Sequence, residues 1–128
     1  MRAWLLFLAA CGGGGDGGGK VDASVNGSAF SGDCKFTESE TFMDVASTSG
    51  SIGLELKWNK TLINTTGTFM TGGIVSDLSL FASVDGEISS ATGKVVFTTY
   101  EAPDAVVGTF EMMVPAKSFT ATGSFDCH

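Results

Sequence analysis

The sequence has little of what most enzyme sites need. It contains one histidine, His128 at the last position, and seven Lys and Arg residues against fourteen Asp and Glu, giving a formal net charge of −7. A lone histidine in no motif leaves serine or cysteine nucleophiles without the base of an acyl-transfer triad. Scattered negative charge repels phosphate backbones, so nucleic acid is not an expected partner. We therefore predict a protein that is not an enzyme and uses no cofactor.

Helical periodicity is also missing, because no stretch combines helix caps with apolar residues about 3.6 positions apart. Strand-like alternation is present instead, and it is clearest over Phe119–Cys127, where small or apolar residues alternate with polar ones. The turn signals Asn26-Gly27 and Asp85-Gly86 separate such stretches. The sequence therefore predicts an all-β fold, an antiparallel β-sandwich or small barrel of about eight or nine strands.

Some strand assignments depend on weaker patterns. Thr61–Met70 is expected to continue the sheet, whereas Ala91–Gly93 is expected to interrupt it. Over residues 71–84 both a helical face and a strand fit, and the all-β setting favours a strand. In the strand that follows the interruption, Phe97 and Thr99 are expected to share one face because they are two positions apart.

The first ten residues have the layout of a secretory signal peptide. Met1–Arg2 is positive, an apolar run reaches Leu8, and two alanines precede Cys11. The apolar run is far too short to cross a membrane as a helix. Leu8–Cys11 resembles a bacterial lipobox, and the resemblance implies cleavage before Cys11 and a thioether from this cysteine to diacylglycerol. The alternative is an ordinary signal peptide that is cut near Ala10 and leaves Cys11 as a free thiol.

Residues 11–20 are predicted to be the lipidated cysteine and a flexible tether. Seven of the nine residues from Gly12 to Lys20 are glycine, and such a stretch has no apolar surface to bury. A phosphate-binding loop is not expected, because Lys20 is followed by Val21 and no strand precedes the glycines. The lipid chains would hold the protein at a membrane, since each buried CH₂ contributes about 0.8 kcal/mol. By resemblance to lipoprotein sorting, Gly12 in place of Asp favours the outer membrane, facing the periplasm or the cell surface.

The three cysteines divide into one anchor and one pair. Cys34 and Cys127 fall at core-facing positions of predicted strands near the two ends of the folded region, 21–128, whereas Cys11 is the odd one out. Export to an oxidising compartment favours a disulfide between Cys34 and Cys127. This disulfide should stabilise the domain by roughly 4–5 kcal/mol. A metal or catalytic thiol would need histidine or clustered ligands, which His128 alone does not provide.

Three segments of the second half resemble a known group of domains. Gly93–Tyr100, Val107–Phe110 and Phe119–Phe125 are similar to the closing three strands of small uncharacterised all-β domains of gram-negative envelope lipoproteins. Those domains also begin with a strand and an Asn-Gly turn ahead of an aromatic residue, as Val25–Gly27 and Phe30 do here. The resemblance covers residues 21–127 and implies the fold and the lipid anchor. It implies no catalytic or binding residues, because no activity is assigned to that group.

Other candidate sites are weaker. The carboxylate pairs Glu38/Glu40 and Asp85/Glu87 have the spacing of solvated turn charges rather than of a glycosidase pair. Acidic and Asn-containing loops leave calcium binding open, although the EF-hand pattern does not occur. Trp58 alternates with apolar residues, which favours an interior position over a sugar-stacking surface.

The predicted function follows from the anchor and from the lack of a catalytic set. We expect a lipid-anchored, non-enzymatic envelope module that acts by binding or in a structural role. It would contact the membrane through the lipid on Cys11 and meet an envelope protein or a glycan. Two alternatives stay open: a small barrel that carries an apolar ligand, suggested by ten Phe residues, and an inhibitor of an envelope hydrolase.

Overall fold

The computed structural model describes residues 18–71 and 77–128. Within these ranges the chain forms ten β-strands and one 3-10 turn, and none of its helical segments is long and apolar enough to cross a membrane. The strands are β1 Gly19–Val25, β2 Ser28–Asp33, β3 Lys35–Glu38, β4 Phe42–Ser49, β5 Ile52–Asn59, β6 Gly67–Met70, β7 Leu78–Val84, β8 Glu87–Glu101, β9 Ala105–Val114 and β10 Phe119–Cys127. The all-β prediction is confirmed.

The strands form one antiparallel sheet that nearly closes into a barrel. Their order is β2-β1-β10-β9-β8-β7-β5-β4-β3, with β6 also paired to β8. β2 and β3 stand at the two ends of this order, yet only Cys34 separates them in the chain. β2 also packs against β4, where a Cβ at Gly32 would lie 2.4 Å from the Ser47 Oγ and 2.5 Å from the Thr48 carbonyl oxygen. Of the two predicted architectures, the structure is therefore closer to the barrel.

The antiparallel order gives the barrel two different ends. The turn end carries the tight connections β1–β2, β4–β5 and β7–β8 and the 3-10 turn Pro115–Lys117 between β9 and β10. The opposite end, called here the termini end, carries both ends of the described chain. There the backbone N–H of His128 donates to the carbonyl oxygen of Gly18 at 3.1 Å.

β8 corrects the predicted interruption at Ala91–Gly93. The strand runs unbroken through these residues, pairs with β7 before them and pairs with β9 from Thr92 onward. Gly93 makes this possible because its φ is +155° and a Cβ there would lie 1.9 Å from the Glu111 carbonyl oxygen. The interruption was predicted because glycine is common in turns. Here Gly93 instead allows β8 to approach β9 closely.

A register shift between Phe97 and Thr99 corrects a second prediction. The irregularity changes which side chains face inward. As a result Tyr100, rather than Thr99, packs against the core. The predicted strand Thr61–Met70 is also wrong in its first half, because only Gly67–Met70 is a strand and the preceding loop instead buries Ile63 at 1% exposure.

Aromatic rings fill the interior near the termini end. Trp58 and Phe97 are 0% and 1% exposed, and their ring centroids lie 5.0 Å apart in an edge-on arrangement. Phe97 also contacts Phe125 at 5.7 Å and Tyr100 at 5.2 Å. Such pairs contribute roughly 0.5–1.5 kcal/mol each beyond the area they bury. This part of the barrel is therefore a packed core.

The predicted Cys34–Cys127 disulfide is confirmed. It joins residues 93 positions apart and links the junction of β2 and β3 to the end of β10. Cys34 also donates its backbone N–H to the carbonyl oxygen of Gly19 at 3.1 Å, and Gly19 pairs with Cys127. β1 therefore begins two residues before the predicted domain boundary, since Gly19 and Lys20 belong to the sheet.

Candidate ligand-binding site at the barrel mouth

The turn end of the barrel is open and forms a cleft of about 390 Å³, called here the mouth. It is lined by residues of β7, β8, β9 and β10 and of three connections between strands. The lining residues are Asn26, Ala82, Val84, Asp85, Glu87, Ser89, Val114, Lys117 and Phe119. Its volume lies within the range of about 300–1,000 Å³ that is common for small-molecule sites, which occur in the mouths of β-barrels.

The mouth is open beside β7 and β8 because the inward positions of these two strands carry small side chains there. Ala82 and Ser89 face each other across β7 and β8, where larger residues would meet. Two residues further from the turn on each strand, Leu80 faces Ala91, and Leu80 is 1% exposed. The floor of the mouth is apolar, because Val114 and Phe119 are buried with 6% and 3% exposure. The mouth thus offers apolar surface beside water at the turn end of the barrel.

Two turns that border the mouth are held by specific hydrogen bonds. Asn26, with φ +50°, accepts at its Oδ1 from the Thr120 backbone N–H at 2.8 Å. Asp85, with φ +53°, donates its backbone N–H to the Ser51 carbonyl oxygen at 2.9 Å. Asn and Asp tolerate this left-handed backbone better than most residues. The same sequence signals that predict the hairpins therefore place an amide and a carboxylate at the mouth.

The charges at the mouth are partly compensated. Lys117 donates to Glu87 Oε1 at 2.7 Å, and this hydrogen bond, together with the attraction of the lysine charge, lowers the pKa of the Glu87 carboxyl. Both side chains are largely exposed, so the pair contributes little to stability. Asp85 takes part in none of the ion pairs found within residues 18–71 and 77–128. The mouth therefore carries one uncompensated negative charge.

A second pair of carboxyl groups lies on the outer wall, away from the mouth. In the β4–β5 register Asp44 faces Lys57, and Glu55 faces the next outward residue of β4, Ala46. Burial raises the pKa of Asp44 from 3.8 to about 7, assisted by a hydrogen bond with Glu55 and by its charge, against an opposing effect of Lys57. Burial and a neighbouring negative charge both favour the neutral form of a carboxyl group.

Lys57 does not compensate this pair fully. Its Nζ lies 4.9 Å from the ring centroid of Phe42, and within the described ranges it forms no ion pair at 4.0 Å or less with Asp44 or Glu55. The ammonium group is thus placed over an aromatic face, which attracts cations. Asp44 on the outer wall can therefore hold a proton near neutral pH.

The site residues predicted from the sequence lie in different parts of the structure. Cys34 and Cys127 form the disulfide, whereas Cys11 lies outside the described residues. Asp85 and Glu87 both border the mouth, while Glu38 bonds to Lys60 at 2.9 Å.

Trp58, which was considered for a sugar-stacking surface, lies in the interior as expected. Trp58 is fully buried and donates its Nε1–H to the Tyr100 hydroxyl at 3.0 Å. That hydroxyl in turn donates to the Ile63 carbonyl oxygen at 3.1 Å. The two side chains therefore fasten the loop that covers the termini end. Residues 18–71 and 77–128 contain no group of three or more His, Cys, Asp or Glu side chains placed to hold a metal ion.

Comparison with protein families, with curated proteins and with solved structures gave no match.

Proposed function

We propose that this chain is a lipid-anchored, non-enzymatic module of the bacterial envelope and that it acts by binding a small ligand at the barrel mouth. The observation that carries the binding role is the open mouth itself, with its apolar floor of Val114 and Phe119 and its polar rim. The lipid anchor is supported by the lipobox-like segment Leu8–Cys11.

The direction of the chain fits this arrangement. Gly18 lies at the termini end, beside His128, and the mouth lies at the turn end. A tether attached through Cys11 would reach the barrel at the end opposite the mouth. The mouth would then face away from the membrane and be open to ligands from solution.

A carrier of an apolar ligand is the second candidate, and the apolar floor of the mouth favours it. The rings of Trp58, Phe97 and Phe125 occupy the interior beyond. A carried ligand would therefore sit in the mouth rather than inside the barrel.

The anchor is tested by the intact mass of the protein purified from membranes, compared with a Cys11→Ser variant. We expect a mass that shows cleavage before Cys11 and added acyl chains, and we expect the variant to leave the membrane fraction. An unacylated wild-type mass would contradict the anchor.

Binding at the mouth is tested separately by native mass spectrometry of the wild type and of Ser89→Leu, in which the larger side chain fills the mouth. Ser90→Leu is the matched control, since Ser90 is exposed on the outer face of the same strand. We expect the wild type and the control to retain a noncovalent small-molecule adduct that Ser89→Leu loses. Absence of an adduct in all three, or equal adducts in all three, would refute binding at this site.

A further inference from the structure

The charges around the mouth favour one class of ligand. Its rim carries the carboxylates of Asp85 and Glu87 and a single cation, Lys117. Because Lys117 already bonds to Glu87 at 2.7 Å, its charge is not free to receive an anion. Asp85 is exposed on the turn between β7 and β8. No ion pair found within residues 18–71 and 77–128 includes its carboxylate.

The apolar part of the mouth lies within reach of this charge. Val84 is the residue directly before Asp85 and is 39% exposed, whereas Phe119 is buried at 3% exposure. Both residues line the same cleft as Asp85. A ligand that covers Val84 and the floor would therefore place its polar end beside the Asp85 carboxylate.

We propose that the mouth binds a small amphiphile with a cationic ammonium head, which lies beside Asp85 while the apolar portion packs on Val84 and Phe119. This inference rests on the proposed function, because it names the ligand class of the same site. The formal net charge of −7 acts in the same direction, since a negative surface raises the local concentration of cations. An anionic head would instead meet two carboxylates and an occupied lysine.

The first experiment compares three probes with the same decyl chain and different heads: decyltrimethylammonium, decyl sulfate and decyl maltoside, each below its micelle concentration. The Cys11→Ser chain is titrated with each probe, and amide chemical shifts are followed by NMR. We expect decyltrimethylammonium to shift the amides of Ala82–Ser89 and Phe119. Its dissociation constant should be at least about tenfold lower than that of decyl sulfate.

Three variants then test the role of the charges. Asp85→Asn removes the carboxylate and keeps a residue that tolerates φ +53°, and it should weaken binding of decyltrimethylammonium about fivefold. Asp104→Asn, in the turn between β8 and β9 at the termini end, is the matched control and should not change it. Lys117→Met releases the Glu87 carboxylate and should strengthen binding.

Different results would overturn different statements. Equal or tighter binding of decyl sulfate at the mouth would refute the cationic class and leave binding at the mouth intact. An equal loss in Asp85→Asn and Asp104→Asn would also refute it, because the effect would then reflect net charge alone. If no probe shifts the mouth amides, the inference is refuted, while the native mass comparison of Ser89→Leu decides the proposed function independently.

Discussion

Asp44 should make the fold less stable as the pH rises from about 5 to about 8. The pKa of Asp44 is about 7 in the folded chain against a reference value of 3.8. Between these two values the folded state therefore holds more protons than the unfolded state. The free energy of unfolding must then fall as the pH rises through this window, and it levels off once Asp44 has ionised in both states.

The structure also limits the size of this effect. A difference of one in pKa corresponds to roughly 1.4 kcal/mol, so the whole displacement corresponds to about 4 kcal/mol. Asp44 is only half-buried, and water screens the interactions of such a group. We therefore expect the ionisation of Asp44 to lower the free energy of unfolding by about 1–2 kcal/mol between about pH 5 and about pH 8.

Urea unfolding followed by the fluorescence of the buried Trp58 would measure this loss at several pH values. Asp44→Asn removes the titrating group, so its stability should depend less on pH and should exceed that of the wild type at about pH 8. Asp104→Asn controls for the loss of a carboxylate in an exposed turn. Parallel pH profiles for the wild type and Asp44→Asn would refute the reasoning, as would a wild type that gains stability relative to the variant as the pH rises.

Two further predictions concern the termini end. Replacing both Cys34 and Cys127 with Ala should lower the free energy of unfolding by about 3–5 kcal/mol, because the disulfide closes a loop across 93 positions; a urea midpoint equal to that of the oxidised wild type would contradict this. Tyr100→Phe should cost about 1–3 kcal/mol, because it leaves the Trp58 indole N–H and the Ile63 carbonyl oxygen without their partner; an unchanged urea midpoint with an unchanged m-value would show that another group satisfies them.

Alternation predicted the inward faces well, because a strand's side-chain period of two is a local property. The five inward residues of β9 and the buried Phe119, Phe125 and Cys127 of β10 follow the expected pattern. The irregularity after Phe97 was not predictable, since no local signal separates it from a regular strand. It decides that Tyr100, rather than Thr99, reaches Trp58.

The two carboxyl pairs also differ in how far the sequence could predict them. Asp85 and Glu87 are close in sequence and border one turn, so their proximity was visible, although their position at the mouth was not. Asp44 and Glu55 become neighbours only through the β4–β5 register. The turn at Gly50 fixes this register, and a shift by one residue would turn the side chains of one strand to the other face. A single sequence carries no direct signal of such a pairing.

The distribution of packing explains why the mouth can stay open. Near the termini end, the disulfide, the Trp58–Phe97–Phe125 contacts and the Trp58–Tyr100–Ile63 hydrogen bonds hold the barrel together. The turn end depends instead on tight hairpins, whose geometry is set by Asn26-Gly27 and Asp85-Gly86. Because these turns fix the ends of β7 and β8, the small side chains of Ala82 and Ser89 leave space that does not weaken the main core. A ligand seated there would add apolar contacts that the chain itself lacks, so it should stabilise the fold by mass action.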